Sequence, residues 1–265
     1  MVIALFFLGL CFGSFVNALV WRLRHNRDFV SERSECPRCH HQLSWNDLLP
    51  IVSWLWLKGA CRYCRKPISW QYPLVEFVTA VLFVVSYYAW PLTLITSADW
   101  LYFGLWLFAL VIMVALAVYD ALWYELPDKL TASLAVVAVA MVAVQMLFIQ
   151  QTSLTGAVVY VVASLLPIAG LYGVLYLVSN KQWVGLGDVK LGVGLGLILG
   201  WELALLAVFI ANAVGLLAVI PGLLSRKLSR KSNIPFGPFL IIGAYLSFLF
   251  GRVLIDWYFA GVLYL

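Results

Sequence analysis

The stretch WVGLGDVKLGVGLGLILG, residues 183–200, places one aspartate at the head of a long apolar run rich in glycine. Gly192, Gly196 and Gly200 follow Asp188 at four-residue intervals, so a helix here would carry a smooth stripe along one face. Such a stripe lets helices pack closely, or leaves a groove for an extended peptide. An aspartate at the start of an apolar helix is either an N-terminal cap or a functional group.

The whole chain has the composition of a membrane protein. Of its 265 residues, 64% are hydrophobic and only 11% are charged, whereas soluble domains carry far more charge. A membrane-spanning helix needs roughly 20 apolar residues, and continuous apolar runs without alternation favour helices over a barrel. We therefore predict an all-α polytopic membrane protein. Its eight predicted spans are residues 2–21, 72–90, 100–119, 130–149, 155–178, 189–200, 202–222 and 236–258.

The basic residues predict how the chain is oriented in the membrane. If the amino terminus lies outside, the cytosolic segments hold sixteen of the seventeen lysines and arginines, as expected for loops that stay inside. These segments are 22–71, 120–129, 179–190 and 223–235. The net charge of +5 thus reflects topology, with the lipid bilayer as the partner and no nucleic acid.

Residues 22–71 form a segment of different composition, with nine of the basic residues, all three histidines and four of the five cysteines. The cysteines form two C-x-x-C pairs that are 21 residues apart. Four thiolates match the tetrahedral preference of Zn²⁺ and leave no open coordination position, so we predict a structural zinc ion. Its predicted ligands are Cys36, Cys39, Cys61 and Cys64. Two disulfides are the alternative, which a reducing cytosol disfavours.

This segment sets the predicted domain organisation. Residues 1–21 are the first transmembrane helix, and residues 22–71 are a small cytosolic zinc-ribbon-like insert between the first two helices. Residues 72–265 are the helical membrane domain. A segment of this size with little core of its own needs a bound metal ion for stability.

Two aspartates are predicted to lie at the same depth on the cytosolic side. Asp120 lies at the end of the third predicted span, and Asp188 lies at the start of the sixth. Two carboxyl groups within hydrogen-bonding reach share a proton, so one can take a proton from water while the other polarises a peptide carbonyl. The pair therefore predicts aspartyl protease chemistry. Asp128 is a third candidate, although its place after Pro127 favours a role at the start of a helix.

Six short motifs, in this order along the chain, resemble the type IV prepilin peptidases. They are GSFVN at 13–17, CPRC at 36–39, CRYC at 61–64, YPLVE at 72–76, YDALWYELPD at 119–128 and GLGDVKL at 185–191. The resemblance covers most of the chain. It implies an aspartyl endopeptidase of the GxGD type, with Asp120 and Asp188 as the catalytic pair, in the bacterial cytoplasmic (inner) membrane with its site facing the cytosol.

The resemblance also implies substrates and a second activity. The substrates would be type IV prepilins or pseudopilins, whose basic leader is removed after a glycine, and the new amino terminus would then be methylated with S-adenosylmethionine. The chain has no G-x-G-x-x-G unit, so we expect the donor site around the insert and the neighbouring helix ends. Asn17 and Glu76 are candidates for binding a substrate amine or a leader lysine, or else are satisfied interhelical hydrogen-bonding groups.

Two other functions compete with this interpretation. A presenilin-like or signal-peptide-peptidase-like protease fits the Tyr119–Asp120 and GLGD motifs, but the cysteine insert is foreign to that group and no PAL tripeptide lies near the end. A proton-coupled transporter with a zinc docking domain would need a polar route to the outer face. Both aspartates are predicted at the inner edge, with few polar residues beyond them.

Overall fold

The computed structural model describes residues 1–28, 33–224 and 234–263, and these residues fold as helices and connecting loops without a β-strand. The chain divides into two compact units, Met1–Tyr88 and Ala89–Leu265. The basic run 225–231, part of the predicted cytosolic loop 223–235, lies outside the described residues. The predicted all-α class is confirmed.

The first unit contains two long helices with the cysteine segment between them. Its helices are α1 (Val2–Arg24), α2 (Val52–Trp56) and α3 (Gln71–Tyr88), with a 3₁₀ turn at Trp45–Asp47. Gly9 and Gly13 on α1 lie against the backbone of α3, where an added Cβ would come 2.5 Å from the Cα atoms of Ala80 and Glu76. Small residues at this spacing allow two membrane helices to touch backbone to backbone.

The second unit contains the remaining helices. They are α4 (Ser97–Trp123), α5 (Asp128–Val144), α6 (Leu154–Leu165), α7 (Leu171–Val178), α8 (Leu186–Leu224) and α9 (Gly237–Leu263). A π-helical turn at Gln145–Ile149 extends α5, and another at Leu166–Gly170 joins α6 to α7. The core lies around α4, where Trp106 stacks on Phe248 of α9 with ring centroids 3.8 Å apart.

Within the described residues, seven helices are long and apolar enough to cross a membrane, in place of the eight predicted spans. The difference lies in α8, which contains both the predicted sixth span, 189–200, and the predicted seventh, 202–222. The helix is nevertheless interrupted at the predicted boundary, because Gly200 has φ 74° and ψ 173°. Only glycine adopts this backbone conformation readily.

Contacts with α9 show that the two arms of α8, residues 186–199 and 201–224, run in opposite directions. Gly251 of α9 lies beside Leu203, and Gly243 lies beside Ala211, so the second arm and α9 are antiparallel. The second arm therefore ends where α9 begins, and the first residue of α9 hydrogen bonds to Asp120. Since Leu126 lies against both Gly187 of the first arm and Gly237 of α9, the first arm begins at this same end. The chain must reverse at Gly200.

The glycine stripe of α8 is used for packing and leaves no groove. An added Cβ at Gly192 would lie 2.9 Å from the backbone nitrogen of Ala169, and one at Gly196 would collide with the carbonyl oxygen of Ser164. A Cβ added at Gly200 would lie 3.2 Å from the ring of Tyr160. Close packing against α6 and the π-helical turn, the first of the two predicted uses, thus fixes the first arm of α8.

Candidate functional site

Asp120 lies near the carboxyl end of α4, and its carboxylate is buried with 5% of the residue exposed. Its Oδ2 accepts a hydrogen bond of 3.0 Å from the backbone nitrogen of Gly237, the first residue of α9. A Cβ at Gly237 would lie 2.7 Å from the same oxygen, so only glycine lets the amide approach so closely. The N-terminus of α9 therefore stabilises the ionised form of this carboxylate.

Asp188 lies in the first turn of α8 and is half-buried. Its Oδ2 accepts a hydrogen bond of 3.2 Å from the backbone nitrogen of Gly185. Both aspartates line one cavity of about 1180 Å³, and their charges interact. Each carboxylate is thus anchored through one oxygen by a backbone amide, which leaves the other oxygen for water or for the partner carboxyl group.

The same cavity contains polar groups that sequence reasoning missed. Tyr172 of α7 is 6% exposed, and its ring makes an edge contact with Phe236 at a centroid distance of 5.6 Å. Asn212 enters from the second arm of α8, where its side-chain amide donates to the carbonyl of Val208. Nothing in the apolar sequence around Tyr172 or Asn212 marks them, because packing of α7 against the first arm of α8 brings in Tyr172 and the reversal at Gly200 brings in Asn212.

Asp128 is the first residue of α5 and follows Pro127, as its predicted role at a helix start requires. Its carboxylate also accepts a bond of 2.6 Å from the ammonium of Lys190, and its side chain is 77% exposed. Exposed ion pairs of this kind contribute about 0–1 kcal/mol. Asp128 therefore lies at the open edge of the cavity and is neutralised there by a lysine.

The two C-x-x-C pairs fold into two equivalent turns. In the first, the amide of Cys36 donates to the carbonyl of His41 and the amide of His40 donates to the carbonyl of Cys36. In the second, Cys61 bonds to Lys66 and Arg65 bonds to Cys61 in the same way. His40 and Arg65 both have positive φ, of 57° and 59°. Each turn is closed by a β-bridge, Glu35–Gln42 or Ala60–Pro67.

These turns bring all four cysteines together. The four Sγ atoms lie within 4.8 Å of one another, and none is in a disulfide. Tetrahedral zinc with Zn–S bonds of about 2.3 Å needs sulfur atoms roughly 3.8 Å apart. The donor set therefore fits one Zn²⁺ ion, and the alternative of two disulfides does not describe this arrangement.

A buried aspartate holds the rest of the insert in place. Asp47 accepts hydrogen bonds from Arg62 at 2.7 Å and Tyr63 at 3.1 Å, and from the hydroxyl of Ser44 at 2.8 Å. Burial alone raises the pKa of Asp47, but these hydrogen bonds outweigh it and bring the pKa below its usual value. The network ties the 3₁₀ turn to the second cysteine pair.

Asn17 and Glu76 line a second cavity, of about 430 Å³, which belongs entirely to the first unit. Asn17 is 3% exposed, and its Nδ2 donates to the carbonyl of Tyr72 at 3.1 Å. Its Oδ1 is buried without a hydrogen-bond partner. Glu76 is 7% exposed and accepts a bond of 2.7 Å from the backbone nitrogen of Ile51. An unpaired buried acceptor beside a buried carboxylate suits a ligand that donates hydrogen bonds.

Comparison with known proteins agrees with this architecture. Residues 7–90 match the family described as the bacterial peptidase A24 N-terminal domain, and residues 107–220 match the type IV leader peptidase family. Similar proteins named prepilin leader peptidase/N-methyltransferase occur in three bacteria. The one from Aeromonas salmonicida is 31% identical, with 97% of this chain and 94% of that protein covered. The one from Aeromonas hydrophila is 33% identical, with coverage of 97% and 93%. The one from Klebsiella pneumoniae is 36% identical, with coverage of 75% and 85%.

The fold and the matches define a multi-pass bacterial inner-membrane protein. The chain belongs to the type IV leader peptidase family. The resemblance drawn from the six motifs is thereby confirmed. No solved structure matches the chain.

Proposed function

We propose that this protein is an aspartyl endopeptidase that removes the basic leader of type IV prepilins or pseudopilins, with Asp120 and Asp188 as its catalytic pair. The observation that carries the proposal is that both carboxylates line one cavity at one end of the second unit. The leader peptidase relatives support the reaction, since their names describe it. These relatives also favour a leader peptidase over the presenilin-like protease and the transporter.

The chemistry follows from two carboxyl groups that share one proton. The ionised carboxylate takes a proton from a water molecule while the water oxygen attacks the scissile carbonyl carbon. The protonated partner donates to the carbonyl oxygen, which gives a gem-diol intermediate. The proton taken from water then passes to the leaving amine as the carbon–nitrogen bond breaks, and the partner takes back one hydroxyl proton as the carbonyl re-forms. The amides of Gly237 and Gly185 hold the two carboxylates without taking part in proton transfer.

The distribution of charge supports the cytosolic side as the side of cleavage. By the positive-inside rule, the basic segments predict an amino terminus outside and both aspartates at the cytosolic membrane edge. A prepilin leader rich in lysine and arginine stays in the cytosol for the same electrostatic reason. The scissile bond, just before the hydrophobic helix of the pilin, then lies at the depth of the cavity.

We assign two further groups to the first unit. A structural Zn²⁺ ion is held by the four cysteines, whose closely spaced free sulfur atoms support it. The second activity is N-methylation of the amine that cleavage exposes, supported by the names of the relatives. S-adenosylmethionine supplies an electrophilic methyl group and leaves as S-adenosylhomocysteine, while the amine releases one proton.

A single incubation tests the proposal. Purified protein in detergent is given a panel of synthetic prepilin peptides, with and without S-adenosylmethionine, and the products are analysed by mass spectrometry. We expect cleavage after the glycine in both cases and one added methyl group only with the donor. Peptides that remain intact at every sequence tested would contradict the peptidase.

Replacing Gly237 by alanine is expected to reduce cleavage about 10²-fold, because a small displacement of a catalytic group has an effect of that size. The new Cβ would lie 2.7 Å from Oδ2 of Asp120 and push the carboxylate away. The matched control is Gly104→Ala in α4, where an added Cβ meets nothing within 4 Å. The measurement is kcat/KM for a prepilin peptide. Equal activity in the two variants would contradict the role of Gly237.

Loss of cleavage should not by itself abolish methylation. The Asp188→Asn protein should yield no methylated product from intact prepilin, because methylation needs the amine that cleavage exposes. Given an already cleaved pilin, it should still transfer the methyl group, since attack on a sulfonium methyl requires orientation and a proton acceptor but no aspartyl pair. Transfer of labelled methyl groups is the measurement. A folded variant that binds pilin but transfers none would mean either that the two sites are shared or that the protein is a peptidase only.

A further inference from the structure

The cavity of the first unit contains a buried carboxylate that forms no ion pair among the described residues and a buried amide oxygen without a hydrogen-bond partner. We call it the α1–α3 cavity, because Asn17 of α1 and Glu76 of α3 face it beneath the cysteine insert. The bond from Asn17 Nδ2 to the carbonyl of Tyr72 fixes the side-chain amide, so that Oδ1 is the atom left without a partner. Among the described residues, no lysine or arginine forms an ion pair with Glu76.

The protein's own groups do not fully satisfy this arrangement. A buried carboxylate normally has a cationic partner, and a buried carbonyl oxygen normally accepts a hydrogen bond. Glu76 receives a backbone amide from Ile51 at 2.7 Å and a hydrogen bond from the Ser14 hydroxyl, but neither neutral donor balances its charge. Ile51 adopts φ 60° where it donates this bond, a strained conformation for a β-branched residue. The chemistry that completes the site is a small ammonium group, which donates three hydrogen bonds and carries the missing charge.

The remaining walls select which ammonium compound fits. Trp21, which stacks on His25, and Trp54, which contacts Trp70, line the cavity and contribute aromatic surface against which a flat base can pack. Arg22, which also donates to the Ser34 hydroxyl, and Arg33 line it as well and suit a ligand carboxylate. These arginines disfavour a polycationic leader, because like charges repel. A volume of about 430 Å³ is within the range of about 300–1,000 Å³ for small-molecule sites.

We propose that the α1–α3 cavity binds S-adenosylmethionine, with the methionyl ammonium against Glu76 and Asn17. This inference rests on the methylation assigned under the proposed function and goes further, because it locates the donor. An amino acid end with both charges, joined to a flat adenine, matches the acceptors, the arginines and the indole rings. The site needs no glycine-rich nucleotide loop, which agrees with the absence of a G-x-G-x-x-G unit.

The test measures binding by the full zinc-loaded protein in detergent, with two probes. S-adenosylmethionine carries the ammonium, whereas 5′-methylthioadenosine has the same adenosine and lacks it. Glu76→Gln and Asn17→Leu should each raise the Kd for S-adenosylmethionine about tenfold or more, as expected for a lost bond to a charged group. The Kd for methylthioadenosine should change less than about twofold, which shows that the cavity remains folded. Glu202→Gln, an exposed residue of α8, is the matched carboxylate-to-amide control.

Three results would contradict the proposed S-adenosylmethionine site. One is an unchanged Kd for S-adenosylmethionine in both variants, and another is an equal loss for the two probes. The third is a weaker affinity for a peptide with the mature pilin amino terminus while donor binding is unchanged, because the ammonium would then be that of the substrate. If the unaltered protein methylates pilin in any of these cases, only the proposed location of the donor site is wrong. If it neither binds the donor nor transfers methyl groups, the proposed methylation fails as well.

Discussion

Asp120→Asn and Asp188→Asn are each expected to lower kcat/KM for cleavage of a prepilin peptide by at least about 10²–10⁴-fold, the range for loss of a positioned acid or base. Asparagine keeps the size of the side chain and an oxygen that can accept the bond from Gly237 or Gly185. It cannot take a proton from water or donate one as a carboxylic acid does. The double variant should be little worse than either single variant, because the two groups act as a unit.

Asp128→Asn is the matched control for this experiment. Its carboxylate is exposed and paired with Lys190, so its loss should change cleavage by no more than a few-fold. Thermal unfolding in detergent shows whether each variant is folded. Substantial cleavage by folded Asp120→Asn or Asp188→Asn protein would rule out the aspartyl mechanism. A complete loss in Asp128→Asn would require a site with three carboxylates.

Removing one cysteine pair is expected to have the second large effect, on zinc content and on the stability of the insert. We expect the Cys36→Ser/Cys39→Ser protein to lose its single zinc ion and to become sensitive to proteolysis within residues 22–71. The apparent binding free energy of a structural zinc ion is about 10–16 kcal/mol, and it is also folding free energy for a small domain. The insert otherwise depends on short elements such as α2 and on the hydrogen bonds of Asp47. Elemental analysis and limited proteolysis are the measurements.

Cys11→Ser is the control for the cysteine pair, because Cys11 lies in α1 away from the cluster. It should keep one zinc ion per chain and the proteolytic resistance of the unaltered protein. Protein purified without chelators that contains no zinc would contradict the assignment. Equal zinc content in Cys36→Ser/Cys39→Ser protein would show that the metal is bound elsewhere.

Features that depend on local spacing were predictable from the sequence. The two cysteine turns follow from C-x-x-C spacing, because their hydrogen bonds join residues four or five positions apart. The boundary at Gly200 follows from two apolar runs on either side of a glycine. The approach of Asp120 and Asp188 was predictable for a different reason. The positive-inside rule assigns the ends of their helices to one side of the membrane.

Features that depend on packing between distant helices were not predictable. The amide of Gly237 reaches a carboxylate 117 positions earlier in the chain, and the sequence FGPF around it contains no sign of this contact. Asn212 joins the cavity only because α8 reverses. The use of the glycine stripe was also undecided in the sequence, because a smooth face serves packing and substrate binding equally well.

The most direct test of the central claim, direct attack of an aspartate-activated water, is cleavage of a synthetic prepilin in the presence of hydroxylamine. The mass of the released leader is measured. A paired-carboxylate mechanism forms no acyl-enzyme, so the leader should appear only as the free carboxylic acid at every hydroxylamine concentration. A leader hydroxamate that increases with hydroxylamine would reveal a covalent acyl intermediate, and would contradict the roles assigned to Asp120 and Asp188.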